Sequence, residues 1–229
     1  MSAPPGTGNA GRAGNAGFLY PFLDASERDA GPLLADLAAS ARAKAAQSAA
    51  LQRDTLAQCG PLIAAAAKAM ADRFARGGRL YTFGNGGSAT DAATLASLFA
   101  HPPTGRALPA WSLAADQAVL TALGNDVGFD LVFARQIIAH ARPADIAVAL
   151  STSGNSADLQ AALAEASRRG LLTAGFAGYD GGRMAGSSDV GYCFVVRSQS
   201  VHRIQESQAL LGYALWAAVH QHLPAGGEQ

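Results

Sequence analysis

Two short segments hold the side chains best placed by type and spacing to do chemistry. The first is Gly84-Asn85-Gly86-Gly87-Ser88 and the second is Ser151-Thr152-Ser153-Gly154-Asn155-Ser156. Each follows an apolar run of strand character, at 79–83 and 145–150, and each precedes a segment of helical spacing. That placement puts backbone N–H groups and hydroxyls at a helix N-terminus, where unpaired donors and the positive dipole end favour an anion. Glycine lets the backbone approach anion oxygens, and Ser88, Ser151, Thr152, Ser153 and Ser156 can each donate a hydrogen bond. The chemistry this suits is phosphate binding without a lysine.

Either loop alone reads equally well as an ordinary β–α turn with Ser and Asn as caps. Two in one chain, both after strands, favour the phosphate site. A rival reading exists. Gly84-Asn85-Gly86-Gly87-Ser88-Ala89 satisfies the dinucleotide pattern G-x-G-x-x-A, and Asp116 follows the next strand. Asp116 lies farther along than the roughly 20 residues usual for a ribose-binding acid. That reading also leaves the second serine loop without a purpose, so a nicotinamide enzyme ranks third. A Walker loop and the G-x-S-x-G elbow of hydrolases are both absent.

The elements that must position these loops follow from periodicity. Strand-like runs occur at 79–83, 110–114, 145–150, 171–176 and 190–196, with helical stretches at 89–100, 117–123, 130–141 and 157–169 between most of them. Such alternation predicts an α/β fold with a parallel sheet covered on both faces, whose ligands sit beyond the carboxyl ends of the strands. Before the sheet, an alanine-rich helix starts at Pro32, breaks at Gly60-Pro61, and resumes to about Arg76 ahead of Gly77-Gly78. A last helix over 203–223 has so much apolar surface that burial on more than one side is expected.

The composition bounds the rest. The 229 residues suit one α/β domain, 49% of them are hydrophobic, and the formal net charge is zero. With no Lys/Arg run, direct binding to nucleic acid or an anionic membrane is not expected. Cys59 and Cys193 lack metal or disulfide-framework spacing and read as free thiols of a reducing, cytoplasmic compartment. Residues 1–17, rich in Gly, Ala, Pro and Asn, read as a disordered tail preceding a single domain over 18–229. They lack the charged start and apolar centre of a secretory signal.

Five motifs in order then resemble the phosphoheptose isomerase branch of the sugar isomerase (SIS) domain family. They are Gly84-Asn85-Gly86-Gly87-Ser88-Ala89 with Asp91-Ala92, Gly124-Asn125-Asp126 with Gly128-Phe129, the LSTSGNS run from Leu150 to Ser156, Asp180-Gly181-Gly182-Arg183-Met184-Ala185-Gly186, and Arg203-Ile204-Gln205-Glu206. The resemblance covers roughly residues 18–223. It implies a three-layer αβα sandwich with a five-stranded parallel sheet, and N- and C-terminal helices that build a homotetramer with sites at subunit interfaces. It also implies a phosphorylated sugar such as sedoheptulose 7-phosphate as ligand. Its phosphate and sugar contacts fall on Asn85, Ser88, Asp126, Ser151, Thr152, Ser153, Ser156 and Gln205.

The departures from the family pattern bear on function. The family's zinc and proton-transfer positions correspond to Thr94, Leu98, Gln205 and Tyr213, and of that set Gln205 alone keeps the family residue. Leucine cannot ligate zinc, and threonine and a phenol are poor replacements, so no metal and no zinc cofactor are expected. Leu98 and Tyr213 read as filling the volume a metal site vacated. The family's acid before the Gln205 motif is His202 here. Loss of ligands is similar to the initiator-associating regulator of bacterial replication (the DiaA family), which keeps the fold and acts on a protein partner. The segment Asp116-Gln117-Ala118-Val119-Leu120-Thr121-Ala122 and the turn Ala177-Gly178-Tyr179-Asp180-Gly181-Gly182 are similar to that branch.

The first reading is therefore a phosphosugar-binding or regulatory homologue with a possible protein partner. The second is a working aldose–ketose isomerase, in which Asp126 and His202 would supply the base and the acid. Of the other histidines, His101 and His140 read as helix C-terminal residues, and His220 and His222 as solvated.

Overall fold

The computed structural model describes residues 31–223, so the expected tail at 1–17 and the segment Phe18-Leu19-Tyr20-Pro21 lie outside the described residues. By its contacts the chain falls into two units, Met1–Ala46 and Gln47–Gln229. Helix α1 (Gly31–Ala75) begins in the first, where Leu33, Leu34 and Leu37 are exposed. In the second it buries Thr55, Cys59, Ile63, Ala66, Ala67, Met70, Ala71 and Phe74.

The expected break at Gly60-Pro61 does not occur, and Pro61 sits inside one continuous helix. Proline removes one N–H bond and crowds the Cβ of the residue before it. That residue is Gly60, which has no Cβ. Pro61 also faces solvent, so the carbonyl it frees stays hydrated. Packing of Cys59, Ile63, Ala66 and Met70 offsets the lost bond.

From Gln47 onward the order is β1 (Leu80–Gly84), α2 (Gly87–Ala100), β2 (Ala110–Ser112), α3 (Gln117–Asp126), a 3-10 turn (Phe129–Leu131), α4 (Val132–His140), β3 (Ile146–Leu150), α5 (Ala157–Arg168), β4 (Leu172–Gly178), α6 (Gly182–Gly186), β5 (Tyr192–Val196) and α7 (Val201–His222). The five strands are all parallel in the order β2-β1-β3-β4-β5, as the family resemblance implies. Alternation along each strand sorts the core into two layers. Leu80, Ile146, Val148, Phe176 and Phe194 face α1, α2 and α7, whereas Tyr81, Phe83, Ala147 and Ala149 face α4 and α5. The architecture is a three-layer αβα sandwich.

Helix α7 buries Ile204, Ser207, Gln208, Leu211, Gly212, Leu215, Trp216 and Val219, a single stripe at 3–4 residue spacing. Burial on more than one side is therefore not found among the described residues, and Tyr213 on the opposite face is 52% exposed. His220 is half-buried, against the expectation that it is solvated. Its ring bonds the backbone oxygens of Trp216 and Arg106 and packs on Phe99 and Trp216. His222 is exposed, and His101 and His140 do end α2 and α4. Cys59 and Cys193 are both free thiols, and burial pushes the Cys193 thiol up to about 11. Among the described residues no helix is long and apolar enough to cross a membrane.

Candidate functional site

Strand order decides where the two loops meet. The connection after β1 runs outward to β2 at one edge, and the connection after β3 runs outward to β4 on the other side. The boundary between β1 and β3 is thus the switch point of the sheet, where α/β domains open a crevice at the carboxyl ends of the strands. Gly84 pairs with Leu150 in the register, so the serine loops leave adjacent strands at the same level. A Cβ on Gly84 would lie 2.8 Å from the Leu150 oxygen and 2.6 Å from the Ser88 oxygen, which leaves room for glycine alone.

Between the loops lies a hollow of about 100 Å³ lined by Asn85, Ser88, Leu150, Ser151, Thr152, Ser153, Ser156 and Leu159. Six of the eight expected contact residues therefore come together. The Ser151 and Ser153 Oγ atoms accept from the N–H groups of Gly154 and Asn155, which leaves their hydroxyl protons for a ligand. Neither Gly86 before α2 nor Ser156 before α5 caps its helix with a side chain. No cation lines the hollow. Its donors are hydroxyls and helix N-termini, an arrangement that can hold a phosphate group.

The second loop is braced by the end of β4, by the fourth motif and by α7, a role the sequence does not reveal. Gly178 N–H donates to the Thr152 oxygen, Met184 N–H to the Gly154 oxygen, and Arg183 N–H to Asn155 Oδ1. Gly182, with φ +55°, sits where a Cβ would lie 2.3 Å from the Ser153 oxygen. From α7, Gln208 is 1% exposed and its Nε2 donates to the Ser151 oxygen at 2.8 Å.

Gln205 stands over the first loop, its Nε2 2.4 Å from where a Cβ on Gly87 would be, and donates to Asp91 Oδ2 at 3.2 Å. Burial raises the Asp91 carboxyl above its usual range, and the Gln205 bond works against that shift. A smaller hollow of about 60 Å³ adjoins the cradle through Leu150, with Asp91, Thr94, Leu98, Gln208 and Tyr213 in its wall. Thr94, Leu98 and Tyr213, three of the four positions that the resemblance aligned with metal ligands, thus surround one space. Thr94 Oγ1 is bonded to the Thr90 oxygen.

Asp126 and His202 are not drawn into either hollow. Asp126 is the exposed last residue of α3, bonded by Asn125 Nδ2, and His202 is exposed in the first turn of α7. Asp116, the ribose-binding candidate of the dinucleotide reading, caps α3 by accepting from Val119 N–H. It lines a separate hollow with Arg79, Tyr81 and Trp111. Sequence reasoning missed Asp158, which is buried beside the cradle with both oxygens on Asn85 Nδ2 at 3.1 and 2.9 Å. An acidic residue two positions after the serine run was its one visible signal.

A parallel αβα sheet with two uncapped helix N-termini at its switch point is an α/β ligand-binding domain. The SIS domain profile matches residues 34–178. The phosphoheptose isomerase of Solidesulfovibrio magneticus is 44% identical over 168 residues, 71% of this chain and 79% of that protein. That of Roseiflexus sp. is 38% identical over 175 residues, 76% of this chain and 88% of that protein. Among solved structures, a phosphoheptose isomerase from Francisella tularensis superposes with a TM-score of 0.74 at 30% identity, covering 80% of this chain and 97% of that one. The Neisseria gonorrhoeae phosphoheptose isomerase gives 0.73 at 32%, covering 81% and 99%. The chain belongs to the SIS domain family, on its phosphoheptose-isomerase-like branch.

Proposed function

We propose that this protein binds a phosphorylated sugar of the sedoheptulose 7-phosphate type, with the phosphate in the serine cradle, and that it does so without zinc isomerase chemistry. The observation that carries the ligand class is the convergence of Ser88, Ser151, Thr152, Ser153 and Ser156 on one hollow at two helix N-termini. Asn85 joins that wall and Gln205 covers the first loop, whereas Asp126, retained as a proposed contact, lines neither hollow.

The zinc of active relatives is not matched by the donor set. Zinc takes three or four N, S or O ligands. Leu98 has no donor atom, no His or Cys lines the space, and Asp91 is its one carboxylate, already accepting from the Gln205 amide N–H. Tyr213 offers a phenol. A homologue that binds phosphosugars and acts through assembly or a protein partner accounts for this set. The alternative is an active isomerase using Asp126 and His202, and the nicotinamide reading stays third.

Calorimetric titration with sedoheptulose 7-phosphate and with NADH tests the ligand. Binding of the sugar phosphate is expected, and tight NADH binding with no sugar-phosphate affinity would refute the proposal. Ser88→Ala and Ser153→Ala are each expected to weaken binding by about 0.5–1.5 kcal/mol, more where phosphate charge strengthens the bond.

A homotetramer is part of the same proposal. In sequence, Leu210, Leu211, Leu215 and Trp216 read as apolar surface for an interface, but Leu211, Leu215 and Trp216 are buried in the chain's own core. Support comes instead from Leu33, Leu34 and Leu37, exposed on one face of α1. Light scattering at micromolar concentration should give four times the chain mass, and a monomer would count against a shared site.

A further inference from the structure

Asp158 is an anion placed where the proposed ligand is also an anion. It is the second residue of α5, 3% exposed, and its chain neighbours Ser156 and Leu159 both line the cradle. A carboxylate only accepts, so Asn85 must turn its NH₂ to Asp158, as the two bonds from Nδ2 show. The Asn85 carbonyl oxygen, which has no protein partner among the described residues, is then the end left for the hollow that Asn85 lines. The backbone N–H groups at Asp158 and Leu159 favour the charged carboxylate, which therefore lies in the field of the positive end of α5 that would otherwise serve a phosphate.

Among the described residues no cation pairs with this charge. The ion pairs among the described residues join Arg79 to Asp145 and Glu165 to Arg168 and Arg169. The serine loops carry no charged side chain, Glu165, Arg168 and Arg169 lie at the far end of α5, and Arg135 of α4 lines a different hollow. The charge that acts on Asp158 is Asp130 of the 3-10 turn, of the same sign. Burial is the larger influence, and both raise its affinity for a proton, against the Asn85 and backbone bonds.

We propose that Asp158 determines what the cradle accepts: through Asn85 it presents an acceptor to the ligand, and its charge requires that an anion enter together with a proton. This rests on reading the serine loops as a phosphate cradle and adds the proton to it. The proton comes from solvent and neutralises the carboxylate, while one oxygen continues to accept from Asn85. An incoming anion raises the proton affinity of Asp158, so by linkage protonation strengthens anion binding. Affinity is full below the carboxyl's own pKa and falls as pH rises through it.

The test uses sulfate, whose charge is constant from about pH 5 to about pH 8.5, beside sedoheptulose 7-phosphate, each titrated calorimetrically over that range. Sulfate affinity of the wild-type protein should fall with rising pH, approaching about tenfold per unit. Titration in two buffers of different ionisation enthalpy should show proton uptake. Asp158→Asn keeps an acceptor for Asn85 without the charge. It should bind sulfate about tenfold or more tightly than wild type at the alkaline end, with a flat pH profile. The buffer comparison needs only the wild-type protein, so the proposal remains testable if the variant does not fold. Sugar-phosphate binding with a flat wild-type sulfate profile, or weaker sulfate binding by Asp158→Asn, overturns this proposal alone. Failure of the wild-type protein to bind either ligand overturns the cradle itself.

Discussion

Purified protein is expected to carry no stoichiometric zinc and to turn over sedoheptulose 7-phosphate at least about 10²–10⁴-fold more slowly than an active relative, the contribution typical of one positioned acid or base. The cause is the wall around the smaller hollow. Leu98 offers no donor, and Asp91 is the one charged donor in that wall. Among the described residues no group of three His, Cys, Asp or Glu comes together, and neutral amide and hydroxyl oxygens are weak substitutes for the ligands zinc takes. Because Thr94 and Leu98 are one turn apart on α2 and face the space that Tyr213 closes, the variant Thr94→His, Leu98→Glu, Tyr213→His should regain zinc. Elemental analysis and a coupled isomerase assay read both results. Stoichiometric zinc, or turnover comparable with that of an active relative, would mean that Asp126, His202 or another group performs the chemistry.

Gly154→Ala is expected to lower stability by about 3 kcal/mol, which in a chain of this size is a fall of roughly 6–12 °C in Tm. Gly154 adopts φ +66°, and a Cβ there would meet the Gly181 oxygen at 2.2 Å and the Gly181 carbonyl carbon at 2.8 Å. Both partners are backbone and neither can rotate away. The loop would have to move, and with it the bonds to Ser151 Oγ, Gln160 Nε2 and the Met184 N–H. Sugar-phosphate binding should fail with the fold. Gly77, just past α1, provides the control. Its φ is +79°, but nothing lies within 4 Å of a Cβ, so Gly77→Ala should cost about 1 kcal/mol of backbone strain. Thermal unfolding compares the two, and equal losses would show that the contact with Gly181 contributes nothing.

What the sequence determined by itself is local. Short apolar runs and the Gly, Ser and Asn clusters between them located every strand of the sheet and both loops, because main-chain preference and apolar character are written residue by residue. The family motifs likewise set the expectation of five parallel strands, which the pairing bears out. Which donor atoms Thr94, Leu98 and Tyr213 carry was equally legible, since it depends on side-chain type alone.

What only the tertiary structure decided is pairing across the chain. That Asp158 takes the amide of Asn85, 73 residues earlier, depends on β1 and β3 lying side by side, and no spacing encodes that. The fourth motif braces the second loop because β4 brings Gly178 and Gly182 against Thr152 and Ser153. Continuity of α1 through Pro61 is a tertiary result as well. A local rule favours a break, and packing of the buried stripe from Cys59 to Met70 outweighs one missing hydrogen bond. Leu211, Leu215 and Trp216 read as spare apolar surface in a one-dimensional pattern. In the fold they form a stripe that the sheet and α2 cover, because burial depends on neighbours distant in sequence.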